Sequence, residues 1–484
     1  MAHIDKINSF YPPQRTLMGP GPSEIHPRVF SAMGRPTIGY LDPVFVDMMD
    51  ELKELLRYAF QTKNELTFPV SGPGSAGMEM CFVNMVEPGD KVLVCINGVF
   101  GGRMLENVVR CGGQPIIVKD DWGKPVNLNK VEDALKNNQN IKVVAFVHAE
   151  TSTGVLSDGE AISKLAKKYG AYTIMDTVTS LTGVPVMIDD WGIDASYSGS
   201  QKCLSCTPGL SPITFSDNVK KLLQKKKSQS QSWFLDLNLL VNYWGENQQR
   251  TYHHTAPTNS LYSLHEALLM LKEEGIENSW FRHYRHHEAL KAGLEALNLE
   301  FLVETDYRLP QMNAVICPSS LDEAEVRKRL LKVYNIEIGA GLGDLKGKIW
   351  RFGIMGYSCK MENVMLAISA LESIFDDMGI DFEHGKAETA AYHAYADIKK
   401  KSNKVFVLLG DGESQEGTIW EAANIAANLK LNNLCVVVDW NGSAAQLMPI
   451  DNLKNKWKAF GWNVHYLDDG HNYDKIKKTF KCIK

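Results

Sequence analysis

The sequence predicts an α/β protein with a large domain built on a mainly parallel sheet, a smaller α/β domain, and a C-terminal α/β module of different character. Three observations predict it. From about residue 64 to 216, short apolar runs bounded by turn residues alternate with helical patterns. A long helical pattern, SLYSLHEALLMLKEEG, then opens mixed α/β text that ends near residue 376. At Lys404 a new strand, VFVLLG, begins, and residues 404–484 are unlike the text before them. A chain of 484 residues also exceeds one compact core, so more than one domain is expected. The expected divisions are 1–259, 260–376, a connecting helix over 377–403, and 404–484.

Composition narrows the function classes. A net charge of −5 and a pI near 6.2 give no electrostatic reason to expect nucleic acid or an anionic membrane surface as partner. No run reaches the ~18 apolar residues that a bilayer-spanning helix needs. The opening stretch MAHIDKINSFYPPQ has no apolar secretory region, and the closing KCIK is neither a peroxisomal nor a prenylation signal. The nine cysteines are odd in number and scattered, several within apolar runs such as KVLVC, which suits reduced thiols and a cytoplasmic protein. Cys203 and Cys206 form a C-x-x-C, but no second pair or histidine set at ligand spacing accompanies it, so no zinc site is expected.

In chain order, the strands expected of the large domain are KVLVCI, QPIIV, KVVAFVH, AYTIMD, ASYSGS and LSPITFS. GSAGMEMCFVNMV and DGEAISKLAKKYG read as intervening helices. Ligands of such sheets bind at the carboxyl ends of the strands, so the residues that close each strand matter most. SGPGSAG (71–77) is a glycine-rich turn opening a helix, where free N–H groups and the positive helix end suit a phosphate. KVVAFV runs into the polar cluster His148-Ala149-Glu150-Thr151-Ser152-Thr153-Gly154. AYTIM closes on Asp176, a carboxylate that, once buried, needs a cationic partner. Lys202 stands among small and hydroxylated residues in SGSQKCLSCTPG, with room beside its amine. A solvated surface lysine is the plain reading of that residue alone. In this order and at these strand ends, however, the parts fit pyridoxal phosphate chemistry: a Schiff-base lysine, a carboxylate on the pyridine nitrogen, and a helix terminus for the phosphate.

The residues from about Arg15 to Phe375 resemble a class V, fold type I, pyridoxal phosphate-dependent aminotransferase of the alanine–glyoxylate / serine–pyruvate group. The blocks that carry the resemblance are MGPGPSEIHPRV, SGPGSAGME, EPGDKVLV, NGVFGGR, HAETSTGV, MDTVTSLTG, DASYSGSQKCL, YHHTAPTNSLYSLHEAL, IEIGAGLG and WRFGIMG. It implies that 1–259 is the large cofactor-binding domain and 260–376 the small domain. By the same resemblance Lys202 is the Schiff-base lysine and Asp176 the pyridine-nitrogen partner. Gly74, Ser75 and Ala76 form the phosphate turn, and Gln201 also reaches the cofactor. Phe100 stacks on the ring where relatives often have Trp, and Thr151 stands where Ser is common beside the ring hydroxyl. Tyr252 and Thr255 of YHHT reach the phosphate of a neighbouring subunit, which implies a homodimer with shared sites. Arg351 suits the α-carboxylate of amino acid and 2-oxo acid substrates, because a planar guanidinium binds it with two parallel hydrogen bonds. The GPGPS turn, with Gly21, would supply backbone donors to the same carboxylate.

The stretch VFVLLGDGESQEGTIWEAANIAANLKLNNLCVVVDWNG resembles the thiamine diphosphate-binding signature of transketolase-type enzymes. Mg²⁺ bridging a diphosphate needs hard oxygen ligands, here Asp411, the Asn441 side chain and the Ser443 carbonyl. The module is partial: no segment before GDG carries the histidines of that family, and no second domain supplies its activating glutamate. It reads as a relic, as a module completed by a transketolase-type partner subunit, or as an independent binder. The function expected of the chain is transfer of an amino group from alanine or serine to glyoxylate or pyruvate. The alternatives are a 2-aminoethylphosphonate-type transaminase and a thiamine diphosphate-dependent transketolase component. A cysteine desulfurase is disfavoured because Cys203 adjoins Lys202.

Overall fold

The computed structural model describes residues 8–245, 250–402, 405–428, 431, 434–442 and 452–482. The chain divides into two compact units, Met1–Tyr392 and His393–Lys484.

The first unit is organised by a seven-stranded sheet. Its strands are β1 (Leu66–Ser71), β2 (Lys91–Ile96), β3 (Gln114–Lys119), β4 (Ile141–Val147), β5 (Tyr172–Asp176), β6 (Ala195–Tyr197) and β7 (Leu210–Phe215). The spatial order is β1-β7-β6-β5-β4-β2-β3, parallel throughout except for β7, which runs against both its neighbours. The reversal of strand order between β2 and β4 opens the crevice in which such sheets hold ligands. Because β7 alone is inverted, β1, β2, β4, β5 and β6 all end at one edge.

Burial explains why the central strands were readable as unbroken apolar runs. Val143, Val144, Ala145, Phe146 and Val147 of β4 are all buried, as a parallel strand covered on both faces requires. β1 has no counterpart among the expected strands. Pro69 interrupts its sequence, and proline is tolerated there because β1 is an edge strand with a single neighbour. Pro69 lies opposite Pro212 of β7, so both missing N–H donors fall at one register position.

The second part of this unit contains an antiparallel sheet of β8 (Met312–Ile316), β9 (Gly339–Ala340) and β10 (Ile349–Gly353), in the order β8-β10-β9. Helices Thr258–Glu274 and Ile276–Ala296 precede it and helix Met361–Asp377 comes after it. Near the N-terminus, Thr16–Leu17 pairs with Ile336–Glu337, and Gly353 N donates to Met18 O at 2.6 Å. These bonds tie the segment ahead of the GPGPS turn to the second part of the unit, and Ser23 N, which donates to Gln201 O at 2.9 Å, ties its far end beside Lys202.

The helix expected over 377–403 is shorter than its text suggested. Helix Met361–Asp377 ends first, Gly379 and Gly385 adopt positive φ, and a new helix runs Lys386–Ser402. Glycine is favoured at both positions because a Cβ is strained there. The second unit holds the parallel strands β11 (Val405–Gly410) and β12 (Leu434–Asp439), with helix Gly417–Asn428 between them in sequence. One face of this pair packs Val407, Leu409, Val436 and Val438 against Ala423, Trp420 and Trp457. On the other face Phe406 and Leu408 are exposed. No helix among the described residues is long and apolar enough to cross a membrane.

Candidate active site

The carboxyl edge of the large sheet gathers most of the candidate site residues. Asp176 closes β5 and is 2% exposed. Its Oδ1 accepts from Val178 N at 2.8 Å, and its Oδ2 accepts from the Tyr197 hydroxyl at 2.7 Å. Burial pushes its carboxyl up to about 6, opposed by those two hydrogen bonds and by the nearby charges of Lys202 and Arg103. Among the described residues no basic side chain forms an ion pair with it.

Lys202 lies just beyond β6, buried, where Ser23 Oγ donates to its carbonyl at 2.8 Å. Burial lowers its ammonium to about 8, and the Arg351 charge adds to the effect. An amine so placed is partly neutral near physiological pH, which a nucleophilic or proton-transferring lysine requires. Its Nζ donates to the Pro20 carbonyl. Gly21 has φ +111°, and a Cβ there would come within 2.9 Å of Lys202 Nζ. Glycine is therefore demanded twice, by backbone conformation and by the amine beside it.

Arg351 occupies the middle strand of the small sheet, opposite Ala314 and Gly339. Its Nε donates to Ala340 O at 2.7 Å and one Nη to Thr151 O at 3.1 Å. Burial lowers it to about 10, offset by the Glu150 carboxylate, so it stays charged at neutral pH. Thr151 is itself buried, with its hydroxyl on Thr179.

The rest of the setting is a floor of small residues and backbone. The helix α1 (Gly74–Met85) begins at Pro73 with no side-chain cap; Ala76 N donates to Pro73 O at 2.7 Å, and the N–H groups of Gly74 and Ser75 at the positive helix end suit an anion. A Cβ on Gly74 would crowd Val178 and the Ser198 carbonyl at 3.3 and 3.4 Å, which holds this turn against the ends of β5 and β6. Phe100 lies half-buried in the first turn of the helix α2 (Val99–Arg110), with the Arg103 guanidinium 4.8 Å from its ring centre. Gln201 Oε1 is buried without a hydrogen-bond partner.

An acid without a cationic partner, an amine of lowered basicity, an orphaned amide oxygen and an uncapped helix start together fit pyridoxal phosphate. That group brings a protonatable ring nitrogen, an aldehyde, a ring hydroxyl and a phosphate.

Tyr252 and Thr255 are exposed, while the adjoining His254 bonds Ser71 Oγ at 2.8 Å. The structure thus anchors YHHT at the end of β1 and leaves its tyrosine and threonine facing outward. Asp411 and Asn441 belong to the second unit. Asp411 is buried and its N–H donates to Asp439 O at 3.1 Å; Asn441 is exposed, with Nδ2 on Asp439 at 3.1 Å. Ser443 lies outside the described residues. Among the described residues no group of three His, Cys, Asp or Glu side chains could hold a metal. Cys203 and Cys206 are free thiols.

Sequence reasoning missed Tyr197, whose hydroxyl holds Asp176. The signal was register: Tyr197 stands opposite Asp176 on the neighbouring parallel strand. It also assigned no role to Glu150.

The family described as Aminotransferase class-V matches residues 32–353, and Transketolase, thiamine diphosphate binding domain, matches 379–484. The (S)-ureidoglycine–glyoxylate transaminase of Bacillus subtilis (strain 168) is 36% identical over 410 residues, spanning 81% of this chain and 97% of that protein. The alanine–glyoxylate aminotransferase of Callithrix jacchus is 39% identical over 361 residues, 74% of this chain and 87% of the relative. The crystal structure of alanine–glyoxylate aminotransferase from Nostoc sp. superposes with a TM-score of 0.75 at 44% identity, covering 76% of this chain and 97% of that one.

Proposed function

This chain belongs to the class-V aminotransferases, enzymes that use pyridoxal phosphate, and on that premise we propose that it moves an amino group from alanine or serine to glyoxylate or pyruvate. The observation that carries the reading is that Asp176 and Lys202 meet at the carboxyl edge of the large sheet while Arg351 reaches the same edge from the small sheet through Thr151 O, each with its basicity shifted by burial. The Bacillus subtilis and Callithrix jacchus relatives act on glyoxylate, which supports a small 2-oxo acid as acceptor.

When bound, the cofactor supplies an electron sink for the substrate α-carbon. The chain's own residues do the rest. Asp176 holds a proton on the ring nitrogen, kept in place by Tyr197 and Val178 N. The Lys202 amine, lowered to about 8 by burial, would move the proton at the substrate α-carbon. Arg351 is fixed by two backbone carbonyls before substrate arrives, and it keeps donors over for a carboxylate. Phe100 would cover the ring, Gln201 and Thr151 would reach its edge, Gly74, Ser75 and Ala76 would bind the phosphate, and the backbone at Gly21 would meet the substrate carboxylate. Tyr252 and Thr255 complete the site of a second copy, so the working form is a homodimer, placed in the cytoplasm. In the second unit, Asp411, Asn441 and Ser443 would hold Mg²⁺ with thiamine diphosphate once a transketolase-type partner completes the module.

The test is Arg351→Lys, assayed in both half-reactions. A point charge replaces a fixed fork, so KM for alanine and for glyoxylate should each rise roughly tenfold, the order of one charge-assisted hydrogen bond. A rise confined to the 2-oxo acid would mean that the amino donor lacks an α-carboxylate, as in a 2-aminoethylphosphonate-type reaction.

A further inference from the structure

Glu150 is fully buried, and its surroundings are unusual for a carboxylate. Its Oε1 accepts from Ser152 N at 3.1 Å and from the Ser152 hydroxyl; its Oε2 accepts from Phe100 N at 3.2 Å. The Ser152 hydroxyl oxygen in turn accepts from Val99 N at 3.0 Å. Val99 and Phe100 are the first residues of helix α2, whose N-cap is Gly98, a residue with no side chain to satisfy these donors. The cap therefore comes from another strand end. Gly98 is glycine for the same reason: a Cβ there would fall 2.4 Å from Glu150 Cγ and Cδ.

The carbonyl of the residue after Glu150 holds the substrate arginine. Thr151 O accepts from Arg351, and the Glu150 carboxylate lies within electrostatic reach of that guanidinium. One side chain thus joins the helix bearing the ring-covering phenylalanine to the loop that anchors the substrate arginine.

We propose that Glu150 is a positioning residue that sets the Phe100 ring in register with Lys202 and Arg351, by capping helix α2 from the loop after β4. A carboxylate is needed because both its oxygens accept from backbone N–H groups. Glutamine would turn an NH₂ toward one of those donors, and a buried donor facing a donor loses its bond.

The inference rests on pyridoxal phosphate being the ligand of this site, and the experiment separates the two. Apo-protein is titrated with pyridoxal phosphate, reading its absorption band for wild type, Glu150→Gln, Phe100→Ala and the double variant. Failure of the wild type to bind overturns the cofactor reading itself. With wild-type binding intact at pH 8, where Glu150, raised to about 7 by burial, is mostly ionised, Glu150→Gln should raise the Kd about tenfold, the loss of one buried hydrogen bond to a charged group. In the Phe100→Ala background the same change should cost less than about twofold, because the ring it positions is gone. Equal effects in both backgrounds, or none in either, overturn the proposal. Should Glu150→Gln fail to fold, Ser152→Ala, which removes only the hydroxyl of the cap, carries the cycle. It should raise the Kd roughly threefold with Phe100 present and leave it unchanged without.

Discussion

Asp176 and Asp411 are two buried aspartates that obey the same local rule, each standing where a parallel strand closes. Their surroundings differ. Asp176 ends an interior strand of a seven-stranded sheet, so neighbouring strand ends bring Tyr197 and Lys202 beside it. Asp411 comes just after β11, which has one parallel partner, and its neighbours Trp440 and Asn441 are exposed. Phe406 and Leu408 on the outer face are 55% and 72% exposed, although parallel sheets are normally covered on both faces. A carboxylate at a strand end becomes a chemical site through what adjacent strands place beside it. Among the described residues, the first unit sets its aspartate amid several strand ends and the second beside one.

The largest effect should come from breaking the better-furnished site. Asp176→Asn should lower kcat for transamination by at least roughly a hundredfold, about 3 kcal/mol of barrier, because an amide cannot hold the ring nitrogen protonated. The same substitution should have the opposite effect on the apo-protein. The folded-state value of Asp176, about 6, lies above that of an unfolded aspartate, so the folded state binds the proton more tightly. Stability is then lost as pH rises from about 4 to about 6, by no more than about 3 kcal/mol. Thermal unfolding of apo-protein at pH 8 should show Asp176→Asn more stable than wild type, and below pH 4 the difference should vanish. A variant less stable at pH 8 would mean that the buried charge is better compensated than its partners indicate.

The smallest effect sharpens the contrast from the other side. Asp411→Ala should leave kcat and KM for transamination within about twofold of wild type, since none of the transaminase residues lies beyond Arg351. Calorimetry with Mg²⁺ and thiamine diphosphate on the isolated chain should show weak or no binding, and Asp411→Ala should abolish whatever remains. Tight binding without a partner would show that two strands and their loops suffice.

Much of this difference was legible in the sequence. Asp176 stood out by closing an apolar run, Lys202 by its setting of small and hydroxylated residues and Arg351 as a cation inside the apolar stretch WRFGIMG, and the GDG and NG turns marked the second module at its strand ends. What escaped depended on lateral neighbours. β1 was hidden by Pro69, acceptable only because that strand forms the edge. Tyr197 owes its role to the β5–β6 register. Glu150 reads in sequence as one more polar residue of HAETSTG, and only the fold puts its carboxylate under the start of helix α2. The pause at Gly379–Gly385, which shortens the connecting helix, was visible as two glycines but outweighed by helix-prone text around them.

We propose Lys202 as the residue that carries the cofactor. Purified protein loaded with pyridoxal phosphate can be reduced with borohydride, which fixes the reversible lysine–cofactor bond, then digested and mapped by mass spectrometry. The cofactor mass should appear on the peptide containing Lys202 and on no other lysine, and the visible band should be absent in Lys202→Ala. Label on a different lysine, or a visible band that survives in Lys202→Ala, would contradict the account.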